Sequence, residues 1–233
     1  VIEMPQLRVN TPKRLFLAGL AASAAIYATY VGTTWLTYAK RKSSDHDPLL
    51  DTFMPNFEVA ERHTITINAP AHLVFATALK TNLEGSAIIR ALFRSREALL
   101  GGSAPPQSPP EGLFKQLTSL GWGMLAQIPG QEIVMGAATQ PWEANPVFRP
   151  IPPHEFEAFN EPNYVKIAWT LRVESTGPTT SIAITETRVQ TTSPESREKF
   201  RIYWAFLSPG ILLIRRALFR QIKKEAELNV TQP

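Results

Sequence analysis

The feature that most constrains this chain is an apolar stripe near its end. Between Pro194 and Leu228, Phe200, Trp204, Leu207, Ile211, Ile214, Leu218 and Ile222 recur at three- and four-residue intervals, with charges between them. That period places them on one face of a long helix. Ser193 suits its N-cap and Pro194 its first helical position. A helix of this length cannot bury such a stripe alone, so it requires a broad partner surface. Pro209 cannot donate to the carbonyl of Ala205, and Gly210 follows it, so a kink is expected there. Arg215, Arg216, Arg220, Lys223 and Lys224 then form a basic end. Such an end is favourable against the helix dipole and suited to anionic headgroups where a membrane is near.

Strand patterns elsewhere supply the partner surface. In Glu61–Asn68, His63, Ile65 and Ile67 alternate onto one face. In Tyr164–Val173, Val165, Ile167, Trp169, Leu171 and Val173 face one way, and Lys166, Thr170 and Arg172 the other. Thr180–Thr191 puts Ile182, Ile184, Glu186 and Arg188 on a common side. Pro129-Gly130 joins Met124–Ile128 to Gln131–Ala137 as a hairpin, and Val147–Ile151 and His154–Phe159 are expected as further short strands. Short helices are expected over Leu73–Leu79, Ile88–Leu100 and Leu113–Leu120, with a Pro-rich loop over Gly101–Gly112. Runs of strands, rather than alternating strands and helices, predict an α+β domain with an antiparallel sheet.

Leu15–Ala39 carries no charge, lies between Lys13-Arg14 and Lys40-Arg41-Lys42, and has Tyr30, Trp35 and Tyr38 towards its second end. At about 1.5 Å per residue it reaches roughly 37 Å, enough to cross a bilayer core. A cleaved signal peptide, with Ala22-Ser23-Ala24 as the cleavage motif, is the competing reading. The apolar run continues past that motif to a basic stop, which favours a retained single-pass anchor. Similar positive charge on both flanks leaves the side of the soluble domain undetermined. The expected organisation is a tail over 1–14, a transmembrane helix over 15–39, a linker over 40–57 and a folded domain over 58–230.

Glu61-Arg62-His63 through Ala69-Pro70, then Val74-Phe75, resembles the opening of the START/Bet v 1-like superfamily, also called SRPBCC or polyketide cyclase/dehydrase-like. Ile184–Arg188 and Phe200–Arg216, with Tyr203-Trp204 and Ser208-Pro209-Gly210, resemble a membrane-tethered branch of it. The resemblance covers roughly Asp51–Leu228. It implies a helix-grip fold: a curved antiparallel sheet wrapped around the long C-terminal helix, with an apolar cavity between them. It also implies binding of a hydrophobic small molecule such as a lipid, quinone or polyketide, and for a minority of members catalysis.

The ligand-contacting candidates are Trp142, Arg149, Trp169, Glu186, Arg188, Trp204, Ile211 and Arg215. If the Ile182–Ile184 face lines the cavity, Glu186 and Arg188 form a buried charge set suited to a ligand's polar head. A slip of one residue in register reverses that assignment. The tryptophans suit a core equally well. His63 reads as a core histidine satisfied by a backbone group. Asp45-His46-Asp47 lacks the fixed geometry of a metal site, no catalytic or phosphate-binding motif is present, and no cofactor is called for. With no cysteine among 233 residues, disulfides, thiol nucleophiles and thiolate metal sites are excluded, and a net charge of +4 is too weak to imply nucleic-acid binding. The expected function is membrane-anchored, non-catalytic binding or transport of a hydrophobic molecule. The alternatives are a cyclase or dehydratase with Glu186 as acid/base, or a stress-related or assembly protein using the fold as an interaction surface. Oligomeric state stays open.

Overall fold

The computed structural model describes residues 11–40, 47–82, 101 and 110–231, with side chains for those from 15 to 230. The expected helix over 88–100, most of the Pro-rich loop, and Asp45 and His46 lie outside the described residues. The elements run α1 (Thr11–Thr37), α2 (Pro48–Phe53), β1 (Val59–Ile67), α3 (Ala71–Lys80), α4 (Leu113–Ser119), β2 (Gly123–Ile128), β3 (Glu132–Thr139), α5 (Pro153–Phe156), β4 (Val165–Gly177), β5 (Thr180–Thr191) and α6 (Pro194–Thr231). The strands form one antiparallel sheet in the order β1-β5-β4-β3-β2. With α6 packed along one face, this is the helix-grip α+β fold.

The register divides the sheet's side chains into two sets. Val59, Ile65 and Ile67 of β1, Ile133 and Met135 of β3, Val165–Val173 at alternate positions of β4, and Ala183 and Val189 of β5 face α6. They pack against Phe200, Trp204, Leu218, Phe219 and Ile222, so the sequence stripe is the gripped face. Ser193 and Ser196 cap α6 reciprocally: the Ser196 amide donates to Ser193 Oγ at 3.2 Å, and the Ser193 amide to Ser196 Oγ at 3.0 Å. The helix runs on through Pro209. In the turn that proline weakens, the Tyr27 hydroxyl donates to the Phe206 carbonyl at 2.7 Å.

The opposite face is buried too, and that departs from expectation. Residues 40–57 are not simply a linker, because 48–53 form α2, whose Leu50 and the following Met54 are fully buried against Val134, Ala138 and Ala168. Asp47 caps α2 by accepting from the Leu50 amide at 3.0 Å. The expected strands at 147–151 and 154–159 reduce to one bridge, Arg149 to Ala138, and the helical turn α5. Pro152 and Pro153 explain this: neither can donate to a ladder, and proline is favoured at the first helical position. Phe156 of α5 completes the cover, and all eight residues of β3 are buried as a result.

Both α1 and α6 contain stretches long and apolar enough to cross a membrane. The window in α1 is wholly unburied, whereas 33% of the window in α6 is buried.

Gly136 is where the back cover presses closest. A Cβ there would lie 2.5 Å from Phe156 Cε2 and 2.6 Å from Leu125 Cδ1. Gly136→Ala is therefore expected to cost about 1–3 kcal/mol through overpacking, read as a lower midpoint in urea. Gly32→Ala, with nothing within 4 Å, is the control expected to be neutral or mildly stabilising.

Candidate functional site

Two apolar clusters lie between the sheet and α6. One gathers around Phe200 and Trp204 with Trp142, Tyr203 and Ile211; the other gathers around Leu218, Phe219 and Ile222 with Trp122, Trp169 and Ile214. Between them β1 presents Glu61 and His63, β5 presents Thr185 and Thr187, and α6 presents Arg215. Arg215 is 9% exposed, and its Nη1 donates to the Glu61 carbonyl at 2.5 Å. Burial pulls this guanidinium down to about 10, against the fields of the Glu61 and Glu186 carboxylates. It therefore stays a cation at neutral pH.

His63 stands beside it on the same face. Burial first, then the Arg215 and Arg216 cations, hold its imidazolium below the usual range, so the ring is neutral near pH 7. Its Nε2 is buried without a hydrogen-bond partner among the described residues, and so is Trp142 Nε1. The reading of His63 as a histidine satisfied by a backbone group therefore fails at Nε2. Thr185 has its one donor spent, its hydroxyl donating to the Thr170 carbonyl at 2.8 Å. The arrangement is an amphipathic surface with a fixed cation, a neutral imidazole with a spare nitrogen, and apolar walls on both sides. It can bind an oxygen-rich end of an otherwise apolar molecule.

Five of the eight sequence candidates meet on this side: Trp142, Trp169, Trp204, Ile211 and Arg215. Glu186 and Arg188 do share a side with Ile182 and Ile184, but it is the side turned away from α6. There Glu186 accepts from Arg62 Nη1 at 2.9 Å and Arg188 Nε at 2.6 Å. Arg188 also donates to Asp51 and, at 2.9 Å, to the Met54 carbonyl, and stacks over Phe57 at 4.6 Å. The four charges balance and pin α2 to the sheet, so this set is a structural clamp in place of the expected polar-head pocket. Arg149 is an edge residue whose side chain is 43% exposed, held by Glu161 at 2.5 Å and stacked on Phe159 and Tyr164. Neither Arg149 nor Glu186 is placed to work with Arg215 between sheet and helix. Glu61 was legible only as a strand position sharing the parity of His63.

A separate cleft of about 450 Å³ lies where α3 meets the end of α6, lined by Leu73, Ala76, Thr77, Lys80, Glu225, Leu228 and Asn229.

With that geometry in view, the strand order and the gripped terminal helix decide the fold type. At the level of fold this is a helix-grip α+β chain, the arrangement that the sequence resemblance implies. No family model and no curated protein matches the sequence. Among solved structures it is similar to hypothetical protein jhp0584 from Helicobacter pylori, at 7% identity, covering 80% of this chain and 98% of that one, with a TM-score of 0.39. It is also similar to a norcoclaurine synthase from Thalictrum at 11% identity, covering 72% and 95%, with a TM-score of 0.33. A third is the Zhui aromatase/cyclase from Streptomyces sp. R1128, at 13% identity, covering 74% and 95%, with a TM-score of 0.30. At these identities and scores the likeness concerns general arrangement alone.

The back face carries one strongly perturbed acid. Glu132 is 3% exposed and accepts from the Thr170 hydroxyl at 2.9 Å, near the fully buried Asp47. Burial, then the Asp47 carboxylate, push its carboxyl up to about 7, against the Thr170 bond and the Arg172 guanidinium. A carboxyl raised by folding binds its proton more tightly in the native state, so its contribution is full below the unfolded value and fades as pH rises through about 7. Glu132→Gln is expected to gain stability over the parent between pH 5 and 9, approaching about 3 kcal/mol at the alkaline end. Urea titrations at a series of pH values check this; parallel profiles would show that Glu132 is already charged in the fold.

Proposed function

We propose that this chain is a membrane-anchored helix-grip protein that holds a hydrophobic small molecule between its sheet and α6, without catalysing a reaction on it. In this reading α1 is a single-pass anchor over residues 15–39. The ligand's acceptor-bearing end, a carboxylate, phosphate or carbonyl, pairs with Arg215 and accepts from His63 Nε2–H, in the neutral tautomer protonated at that nitrogen. The apolar body lies along Trp169, Ile211, Trp204 and Trp142. The partners are thus a hydrophobic small molecule and the bilayer.

The observation that carries this reading is the buried Arg215. A cation inside an apolar interface is costly, and among the described residues its hydrogen bond goes to a backbone carbonyl. A methionine of similar length would fill the same space without that desolvation cost, at the loss of the hydrogen bond to the Glu61 carbonyl. A ligand with an anionic or carbonyl end gives the charge a role. The apolar run of α1 supports delivery from, or return to, a membrane.

The test is extraction. The full chain, purified in mild detergent and denatured in organic solvent, is expected to release a stoichiometric apolar molecule with an acidic or carbonyl group, identified by mass spectrometry. Arg215→Met should keep or raise the melting temperature yet lose most of that molecule. An empty parent protein, or a methionine variant loaded equally well, would overturn the proposal.

A further inference from the structure

Helix α1 meets the domain along only half its length. Residues 15–29 are all exposed, whereas Tyr30, Val31, Thr34, Trp35 and Tyr38 recur at three and four residues and are half-buried. Tyr27 and Tyr30 hydrogen-bond to the Phe206 carbonyl at 2.7 Å and to Ser208 Oγ at 2.9 Å. Arg201 Nη2 donates to the Trp35 carbonyl at 2.7 Å, and its guanidinium lies 4.1 Å from that indole's centre. The Tyr38 ring meets Phe200 edge-on at 6.3 Å, and its hydroxyl donates to Glu58 at 2.6 Å. The two helices are thus antiparallel, and α6 beyond Ser208 runs back towards the Leu15 end of α1.

This docking and a membrane span exclude each other. Leu15–Ile26, the stretch ahead of the first contact, reaches about 18 Å, while a hydrocarbon core is about 30 Å thick and takes roughly 20 apolar residues. A span therefore has to draw in the turns that lie on α6. Were α1 to span while docked, Arg215, Arg216 and Arg220 of α6 would lie at bilayer depth beside it, where each charge is expensive. The apolar window within Leu15–Thr37 is 0% buried in the fold, so water is a poor surrounding for it. The docked half is held mostly by hydroxyls and one guanidinium, contacts that water or headgroups replace at small net cost. The chain from Ala39 to the Asp47 cap has up to about 28 Å of reach. Ala39 stands at φ 59, a left-handed conformation costly for alanine that parting is free to release.

We propose that α1 is a strap with two berths, α6 and the bilayer, and that its transfer into the bilayer opens the sheet–helix interface at the Phe200–Trp204 end. Tyr38 packs into the cluster of Phe200, Trp204, Trp142 and Ile211, the wall along which the ligand's apolar body is proposed to lie. Docked α1 covers that end. Inserted α1 leaves it bare next to the lipid, where an apolar ligand is exchanged. The transfer rests on the reading of α1 as a retained anchor and the opening on the proposed ligand site, and the experiment separates them.

With no cysteine in the chain, Ala28→Cys and Phe206→Cys, both at exposed positions beside the Tyr27 contact, place a spin-label pair across the docked helices of the full chain. Packed helices lie about 10 Å apart, so the docked pair shows dipolar broadening and the parted pair does not. A separate Leu20→Cys variant carries a fluorophore that doxyl-labelled lipid quenches once α1 inserts. Broadening in lipid-free buffer, lost in phosphatidylcholine–phosphatidylglycerol vesicles where position 20 is quenched, supports the transfer. Broadening in both, with quenching at 20, leaves the anchor standing and overturns the transfer. A sharp spectrum in lipid-free buffer removes the docked berth, and no quenching at 20 removes the bilayer berth; either result overturns the proposal. For the opening, the same cysteine pair joined by a short bismaleimide holds α1 on α6, and the probe is dansylaminoundecanoic acid, an apolar chain ending in a carboxylate. On vesicles the joined chain is expected to take up the probe roughly tenfold more slowly than the unjoined one. Equal uptake means that α1 covers nothing and overturns the opening. No uptake by either sinks the ligand site and the opening with it, while the spectra still decide the transfer.

Discussion

A five-stranded sheet has two faces, and one helix can cover only one of them. The rest of this structure follows from how the second face is closed. Burying β3 along its whole length requires α2 and α5 on the back, and both are short. Short helices contribute little stability of their own, so α2 needs fastening. The Arg188 guanidinium provides it, joining the Asp51 carboxylate and Met54 carbonyl of that segment to Glu186 on the sheet. Breaking such a buried set by removing one member leaves a stranded charge and costs several kcal/mol. The clamp therefore determines where the chain between α1 and β1 must run.

That path has a second fixed point. The Glu58 carboxylate accepts from the Tyr38 hydroxyl at 2.6 Å and the Thr191 hydroxyl at 2.7 Å, and lies 3.7 Å from Arg197 Nε. One side chain thus ties the end of α1, the end of β5 and the start of α6 together. With Tyr27, Tyr30 and Arg201 further along, α1 is held to α6 at several points over its second half. Its tyrosines and tryptophan, which suggest an interfacial belt when read in sequence, are also the residues that grip the domain.

The layout of strands and of the terminal helix was legible because period carries it. Val165–Val173 alternates cleanly, and the stripe from Phe200 to Ile222 keeps its face for many turns. The back cover was not legible. Pro48–Phe53 is too short to show a helical period, and Asp47, the cap that announces it, also reads as a linker carboxylate. For β5 the sequence carried the alternation but not its sign: Ile182, Ile184, Glu186 and Arg188 do share a side, and only pairing with β1 and β4 reveals that it faces α2. The apolar pair in that set suggested the helix side, since a charged pair was not expected under a second cover. Arg215 was legible because it falls next to the helical stripe. His63 was legible in direction, though the unpartnered Nε2 depends on what the neighbouring elements bring within reach.

The two polar sets inside this protein differ in how their charges are met. On the back face, Arg62, Arg188, Glu186 and Asp51 balance in charge and meet one another directly, as a permanent clamp must. On the α6 face, Arg215 directs its hydrogen bond to a neutral carbonyl, with a neutral imidazole beside it whose Nε2 has no hydrogen-bond partner among the described residues. The Glu61 and Glu186 fields support the cation, but among the described residues no side-chain ion pair completes it. A clamp built this way would be poor, because it bears a desolvation cost without a matching contact. A site that receives an acceptor from a ligand has to be built this way, since a cation already saturated by a carboxylate would have to give that partner up before it could bind another.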